Sequence, residues 1–185
     1  AGGTLKGYLS FSTNSGDSLT ERMRLHDTGQ LSVPAGVTLG LQTDDKTASN
    51  TLDDYEEGSW TPVLIYYNSS SWNNNCTFTD DPTTNNATYI KVGKMVYFQW
   101  YSQLMNIDQG AGYAAAVKGL PFTADTYYQA FATAHVDCFE TESQNGYVTT
   151  GTDRAVFTKV NDVNICNWKT SNGYIMMAGC YQAYT

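Results

Sequence analysis

From Lys94 to Leu104 the chain alternates in character: Val96, Phe98, Trp100 and Leu104 take one side, Tyr97, Gln99, Tyr101 and Gln103 the other. A period of two is the geometry of a β-strand with one dry face and one half-wet face. Wound as a helix, the same residues would scatter their apolar groups around the axis. No segment longer than ten residues carries the 3.6-residue apolar stripe of a surface helix. From Tyr127 to Phe139 one face is nearly all small (Ala130, Ala132, Ala134, Val136, Cys138), and the other holds Gln129, Phe131, Thr133, His135 and Asp137. Small residues on one sheet let Trp and Phe from an opposite sheet interdigitate, so the small face is expected to point inward. Further strands are expected at Tyr89–Val92, Gly112–Lys118, Ala155–Val160, Val163–Trp168 and Tyr174–Tyr184, with turns at Val92-Gly93-Lys94, Asn145-Gly146, Asn161-Asp162 and Asn172-Gly173. Short strands with regular turn signals define an all-β fold, an antiparallel β-sandwich of jelly-roll type.

Residues 1–50 have a different texture. Leu9 and Phe11, Met23 and Leu25, Leu31 and Val33, then Val37 and Leu39 form short apolar alternations broken by Gly, Ser and Asp. Two or three apolar side chains per piece cannot close a core, and an isolated short hairpin is marginal in water. These pieces therefore lie against the rest of the chain or against copies of themselves. A polar connector, Gln42 to Ser49, leads through residues 51–59 into a globular segment that spans 60–185. The first residues already have the character of structure, which fits the ordered end of something longer.

Charged residues make up 15% of the chain, against roughly 25% in an average soluble domain, so Asn, Thr, Ser, Gln and Tyr must cover the surface. That is the chemistry of adhesive, carbohydrate-facing surfaces, and equally a common composition of β-rich proteins without such a role. A net charge of -8 with ten basic residues spread along the chain argues against a nucleic-acid partner. No apolar run approaches the roughly 20 residues of a membrane span, and no signal-peptide pattern is seen, so membrane insertion is not expected. Cys76, Cys138, Cys166 and Cys180 match no zinc-ligand spacing. Their even number permits two disulfides, but three of them lie in apolar strand patterns where buried free thiols are common, and free thiols are expected.

Four stretches, in order, resemble the C-terminal stem and knob region of bacteriophage tail-fibre proteins of the marine and environmental type. Thr20-Glu21-Arg22-Met23-Arg24-Leu25 with Gly29-Gln30-Leu31-Ser32-Val33 is similar to a repeated stem unit. Leu52-Asp53-Asp54-Tyr55-Glu56-Glu57-Gly58-Ser59-Trp60-Thr61-Pro62 resembles the junction between stem and tip. Tyr89-Ile90-Lys91-Val92-Gly93-Lys94-Met95-Val96 and Gly119-Leu120-Pro121-Phe122 resemble a hairpin and a turn of the knob. The resemblance implies a short intertwined stem (1–50), a junction (51–59) and a β-sandwich receptor-binding knob (60–185), assembled as a homotrimer. It implies as partners other virion tail proteins and a host cell-surface glycan or protein. It also implies location in the virion after assembly in the bacterial host cytoplasm, where disulfides are rare. Leu9, Phe11, Met23, Leu25, Leu31, Val33, Val37 and Leu39 would form the trimer interface. Tyr66 to Thr88 and Cys138 to Gly151 match no motif of the family, so receptor specificity does not carry over.

Those unmatched segments hold the candidate contacts. Tyr66, Tyr67 and Trp72 interleave with Asn68 and Asn74, so that flat rings can stack on sugar faces while amides bond hydroxyls; the plainer alternative is a polar loop whose rings tuck back. Phe139, Asn145 and Tyr147 form a second candidate set. Asp53, Asp54, Glu56 and Glu57 lack the ligand spacing of a calcium loop and fit a solvated linker better, so no metal or other cofactor is expected. His135 is placed with Thr133 and Asp137 on one wet face, but no nucleophile elbow accompanies them. The carboxylate pairs Asp80/Asp81 and Glu140/Glu142 fit turns and loop edges better than a glycosidase pair. No catalytic residue is therefore expected, and the leading expectation is a non-enzymatic fibre tip. The alternatives are a purely structural head fibre or collar subunit, and a tail spike that degrades surface polysaccharide.

Overall fold

The computed structural model describes residues 7–38, 51–80 and 86–184 apart from 15, 17, 53, 144, 161–163, 171 and 172. The chain divides into two units, Ala1–Tyr55 and Glu56–Thr185. In the first, β1 (Leu9–Asn14) and β2 (Leu19–Leu25) form an antiparallel hairpin with a bulge between Phe11 and Ser12, and β3 (Leu31–Ser32) pairs with the other edge of β2. The turn from β2 to β3 closes through His26 N–H to the Gln30 carbonyl at 2.8 Å, with Gly29 at φ 83°. Then β4 (Val37–Thr38) pairs with β5 (Thr51–Leu52). No described residue of β1–β3 is buried. Leu9, Phe11, Leu25 and Leu31 remain 56%, 52%, 42% and 59% exposed, Val37 is exposed, and Met23 and Val33 are half-buried. Leu39 lies outside the described residues, as do the connector Gln42 to Ser49 and Asp53.

The second unit is built on β6 (Tyr55–Ser59), β7 (Val63–Tyr67), β8 (Asn74–Asn75), β9 (Thr77–Asp80), β10 (Thr88–Val92), β11 (Met95–Gln109), β12 (Ala114–Lys118), β13 (Gln129–Val136), β14 (Asn145–Val148), β15 (Arg154–Thr158) and β16 (Gly173–Gln182). They join one sheet in the order β6-β10-β11-β16-β13-β14-β15-β12-β7-β8, with β9 on the far end of β11. The sheet is antiparallel and curls on itself, and no helix occurs among the described residues. The all-β, sandwich-like class expected from the alternation is the class observed. The curl brings Val96, Phe98 and Trp100 of β11 together with Leu64, Val117 and Phe157 from the other half of the sheet in one core. Trp60 sits edge-on to Phe98 and Trp100, with ring centroids 6.2 and 6.4 Å away.

Two stretches singled out in the sequence sit at joints of this sheet. In the acidic segment, Gly58 leaves room for the Tyr89 ring, which a Cβ there would meet at 3.0 Å, and the Tyr89 hydroxyl donates to the Glu56 carboxylate. The Gly119–Phe122 turn is held by buried Tyr181. Its hydroxyl donates to the Phe122 carbonyl at 2.9 Å and accepts the Phe122 N–H at 3.0 Å. Gly119, at φ 89°, lies against the Thr61 carbonyl oxygen, which a Cβ would meet at 2.4 Å.

The structure corrects three expectations. On β13 it is Phe131, Thr133 and His135 that turn inward, while Ala130, Ala132 and Ala134 face out. The bulky ring decides, because a one-residue flip exchanges the whole face. Phe131 fits where its neighbours on both sides, Gly146 and Gly179, have no side chain: a Cβ at either would come within 2.4 or 2.6 Å of it. For the same reason Asn145-Gly146 is no turn but the start of β14. Of the stretch expected as the strand Val163–Trp168, the described residues contribute only isolated bridges from Ile165, Asn167 and Trp168. Asn161, Asp162 and Asn172 lie outside the described residues. None of the four cysteines is in a disulfide; Cys76, Cys138 and Cys166 are buried and Cys180 is partly exposed.

Candidate functional site

Strand register lays out the outer surface in rows, because residues paired across an antiparallel sheet share a face. One row runs Ala130, Tyr147, Val156, Ala116, Ile65, Asn75 across β13, β14, β15, β12, β7 and β8. Ile65, Ala116 and Val156 point away from the main core yet are buried, because Val63, Trp72, Tyr147 and Ile165 cover them. The two candidate segments, 75 residues apart between Trp72 and Tyr147, are thus brought onto one small apolar patch.

The loop between β7 and β8 is held rigidly. The Asn68 side-chain oxygen accepts from Ser70 N–H at 3.3 Å, the Ser70 hydroxyl at 2.8 Å and Ser71 N–H at 3.1 Å. Asn74 donates its amide to the Ser71 carbonyl at 2.9 Å. Local bonds of this kind fix a turn at the expense of extended structure. They set Trp72 beside Tyr67, with ring centroids 5.3 Å apart and planes at 33°. The Arg154 guanidinium lies 5.0 Å over the Trp72 ring. Tyr147 meets Tyr128 edge-on at 5.2 Å. Burial, ahead of the nearby Tyr128, raises the Tyr147 pKa, and desolvation lowers that of Arg154. The result is an aromatic ridge of Tyr67, Trp72, Tyr147 and Tyr128 with one cation in it. Exposed Tyr67 and Tyr128 beside half-buried Trp72 and Tyr147, with a cation alongside, can stack on the flat face of a sugar or grip an apolar side chain.

The structure divides the sequence candidates. Tyr67, Trp72 and Tyr147 belong to the ridge. Tyr66 does not: alternation along β7 turns it into the main core, against Tyr113 at 5.2 Å. Phe139 is also a core residue, stacked on Trp168 at 5.1 Å and 19°. Asn68 and Asn74 brace the loop, and the Asn145 side-chain oxygen accepts the Thr158 hydroxyl at 2.7 Å. Sequence reasoning missed Tyr128 and Arg154. The adjacent Tyr127 and Tyr128, exposed between polar residues, carried a signal; Arg154 had none, since only the β12-β15 pairing puts it beside Trp72.

The other candidates are engaged elsewhere. His135 turns inward, where its Nε2 accepts Ser143 N–H at 3.1 Å, while the Ser143 hydroxyl donates to the Asn145 carbonyl at 3.0 Å. Asp137 forms an ion pair with Lys169 at 2.8 Å, which lowers its pKa. Glu140 accepts from the Asn167 amide at 3.0 Å. Asp81 and the side chain of Asp80 lie outside the described residues. No group of three metal-ligating side chains occurs among the described residues. No family model, no curated protein and no solved structure matches the chain.

Proposed function

We propose that this chain is the end of a bacteriophage tail fibre, in which the N-terminal unit joins three copies and the C-terminal unit adheres to a host-surface glycan or protein without catalysis. The observation that carries this reading is the N-terminal sheet, whose Leu9, Phe11, Leu25 and Leu31 stay exposed with no core of their own. Apolar strands that cannot close a core singly close one when several chains share it. The four tail-fibre-like stretches support the same reading. The aromatic ridge supplies the adhesive surface, and cysteines outside any disulfide suit assembly in a reducing cytoplasm.

The test is binding of the fluorescently labelled chain to intact bacteria from a panel of candidate hosts. Saturable binding to particular strains is expected. Aromatic contacts are worth about 0.5–1.5 kcal/mol each, so Trp72→Ala and, independently, Tyr67→Ser should weaken it several-fold; Tyr67→Ser should leave the melting temperature nearly unchanged, while Trp72→Ala, which uncovers Ile65, Ala116 and Val156, should lower it. Binding unchanged in both variants removes the ridge from the account. Steady release of reducing ends from host polysaccharide would overturn the non-catalytic reading.

A further inference from the structure

The outer face of β10, β11, β16 and β13 differs from the ridge. Along 88–92, 95–102, 174–182 and 130–135 the outward side chains include Ile90, Tyr97, Tyr101, Met176, Ala178 and Ala132, and none of the described ones is charged. Lys91, the one cation in the first strand, is buried and turned to the Phe122 ring. A row across the middle reads Thr88, Gln99, Ala178, Ala132, Asn145. Its alanines form the floor shared by two adjoining clefts of about 730 and 660 Å³. Each of its two amides is engaged through one group, Gln99 donating to Thr88 at 3.0 Å and Asn145 accepting from Thr158 at 2.7 Å. What the face offers outward is mainly apolar surface, with part of its hydrogen-bonding capacity already turned to neighbouring side chains, which suits a protein surface better than a polyol.

We infer that this face is where the C-terminal units of neighbouring copies meet; the inference rests on the multi-chain reading proposed above. Charge selects the occupant. Identical chains of net charge -8 repel one another, and a surface that carries none of that charge lets them approach at least cost. Size agrees. Four strands about 4.8 Å apart, contributing 28 residues between them at about 3.3 Å each, cover roughly 440 Å² of sheet, more than half of the roughly 800 Å² that each partner brings to a stable interface. Alanines in the central row let a neighbour approach the sheet closely, with Tyr97 and Tyr101 standing as walls.

Cys180 reports on this face directly, because it lies beside Tyr97 in the register while the other three thiols are buried. The whole chain is reacted with a bulky maleimide, as wild type and as the exposed-site variants Ala132→Glu and Met176→Glu, with native mass measured in parallel. Wild type is expected at a multiple of the chain mass, with Cys180 labelled at least tenfold more slowly than in either variant, and each variant keeping a cooperative melting transition at or below that of wild type. Equal labelling rates with a multiple mass would overturn the face and leave the shared N-terminal unit standing. A single-chain mass for wild type would overturn both. A variant that loses its melting transition is set aside in favour of the other, and if both do, Ala178→Ser labelled beside the urea-unfolded chain gives the comparison: protection below tenfold in the folded chain overturns the face.

Discussion

Phe131 shows how much one side chain decides. It packs on Phe98 at 6.1 Å and Phe157 at 5.7 Å, and it takes its place because Gly146 and Gly179 flank it without side chains. A methyl group on Gly146 would stand 2.4 Å from the Phe131 ring and 2.3 Å from the Val156 carbonyl oxygen, with backbone on one side unable to yield. Gly146→Ala should therefore destabilise the C-terminal unit by about 1–3 kcal/mol, read as a lower urea midpoint at unchanged slope. In the sequence, β13 offers one face of small apolar residues and one polar face that carries a single ring, and local alternation alone points to the small face as inner. The answer lies in two glycines 33 residues apart, visible only once the strands are paired. The same limit hid Tyr66, whose neighbours in sequence belong to the ridge while its own parity sends it to the core.

At the scale of elements, existence was more legible than connection. The strand begun at Met95 and its hairpin partner Thr88–Val92 follow from alternation and from Gly93, which adopts φ 56° in the turn. The edge strand Tyr55–Ser59 is not readable that way, since its five residues are all exposed and carry no apolar alternation. Two buried acids tie irregular segments to the sheet. Cys76 fills the space beside Gly110 between β8 and β9, and Tyr181 on β16 clamps the Gly119–Phe122 turn. Burial raises both: the Cys76 thiol to about 12 from 9.0, and the Tyr181 phenol above its usual 10.0. Each holds its proton more tightly folded than unfolded. Their contribution to stability is thus complete below the unfolded values and is lost as pH rises through the folded ones. The melting temperature should hold level from neutral pH to about 8.5 and then fall as the unfolded thiol and phenol ionise, near roughly 8.5 and 10. Cys76→Ala together with Tyr181→Phe should flatten that decline; an unaltered slope would show that other groups govern it.

For the whole molecule, two surfaces carry the account. The ridge of Tyr67, Trp72, Tyr147 and Tyr128 is offered outward, and the uncharged face of β10, β11, β16 and β13 is the surface proposed to meet copies of the chain. The sequence made the first partly visible through its Asn- and Tyr-rich loop. It concealed the second, because the alanines of β13 resemble core residues until Phe131 fixes the direction of the strand. The N-terminal unit was legible for an opposite reason: its apolar pieces are too short to hide in their own hairpin, and they remain exposed in the single chain. Everything proposed about attachment depends on several chains sharing those residues. Light scattering on the native chain at low concentration tests that dependence most directly. The account predicts a mass three times the 20.4 kDa of the single chain, unchanged on tenfold dilution; a stable single-chain mass would contradict it.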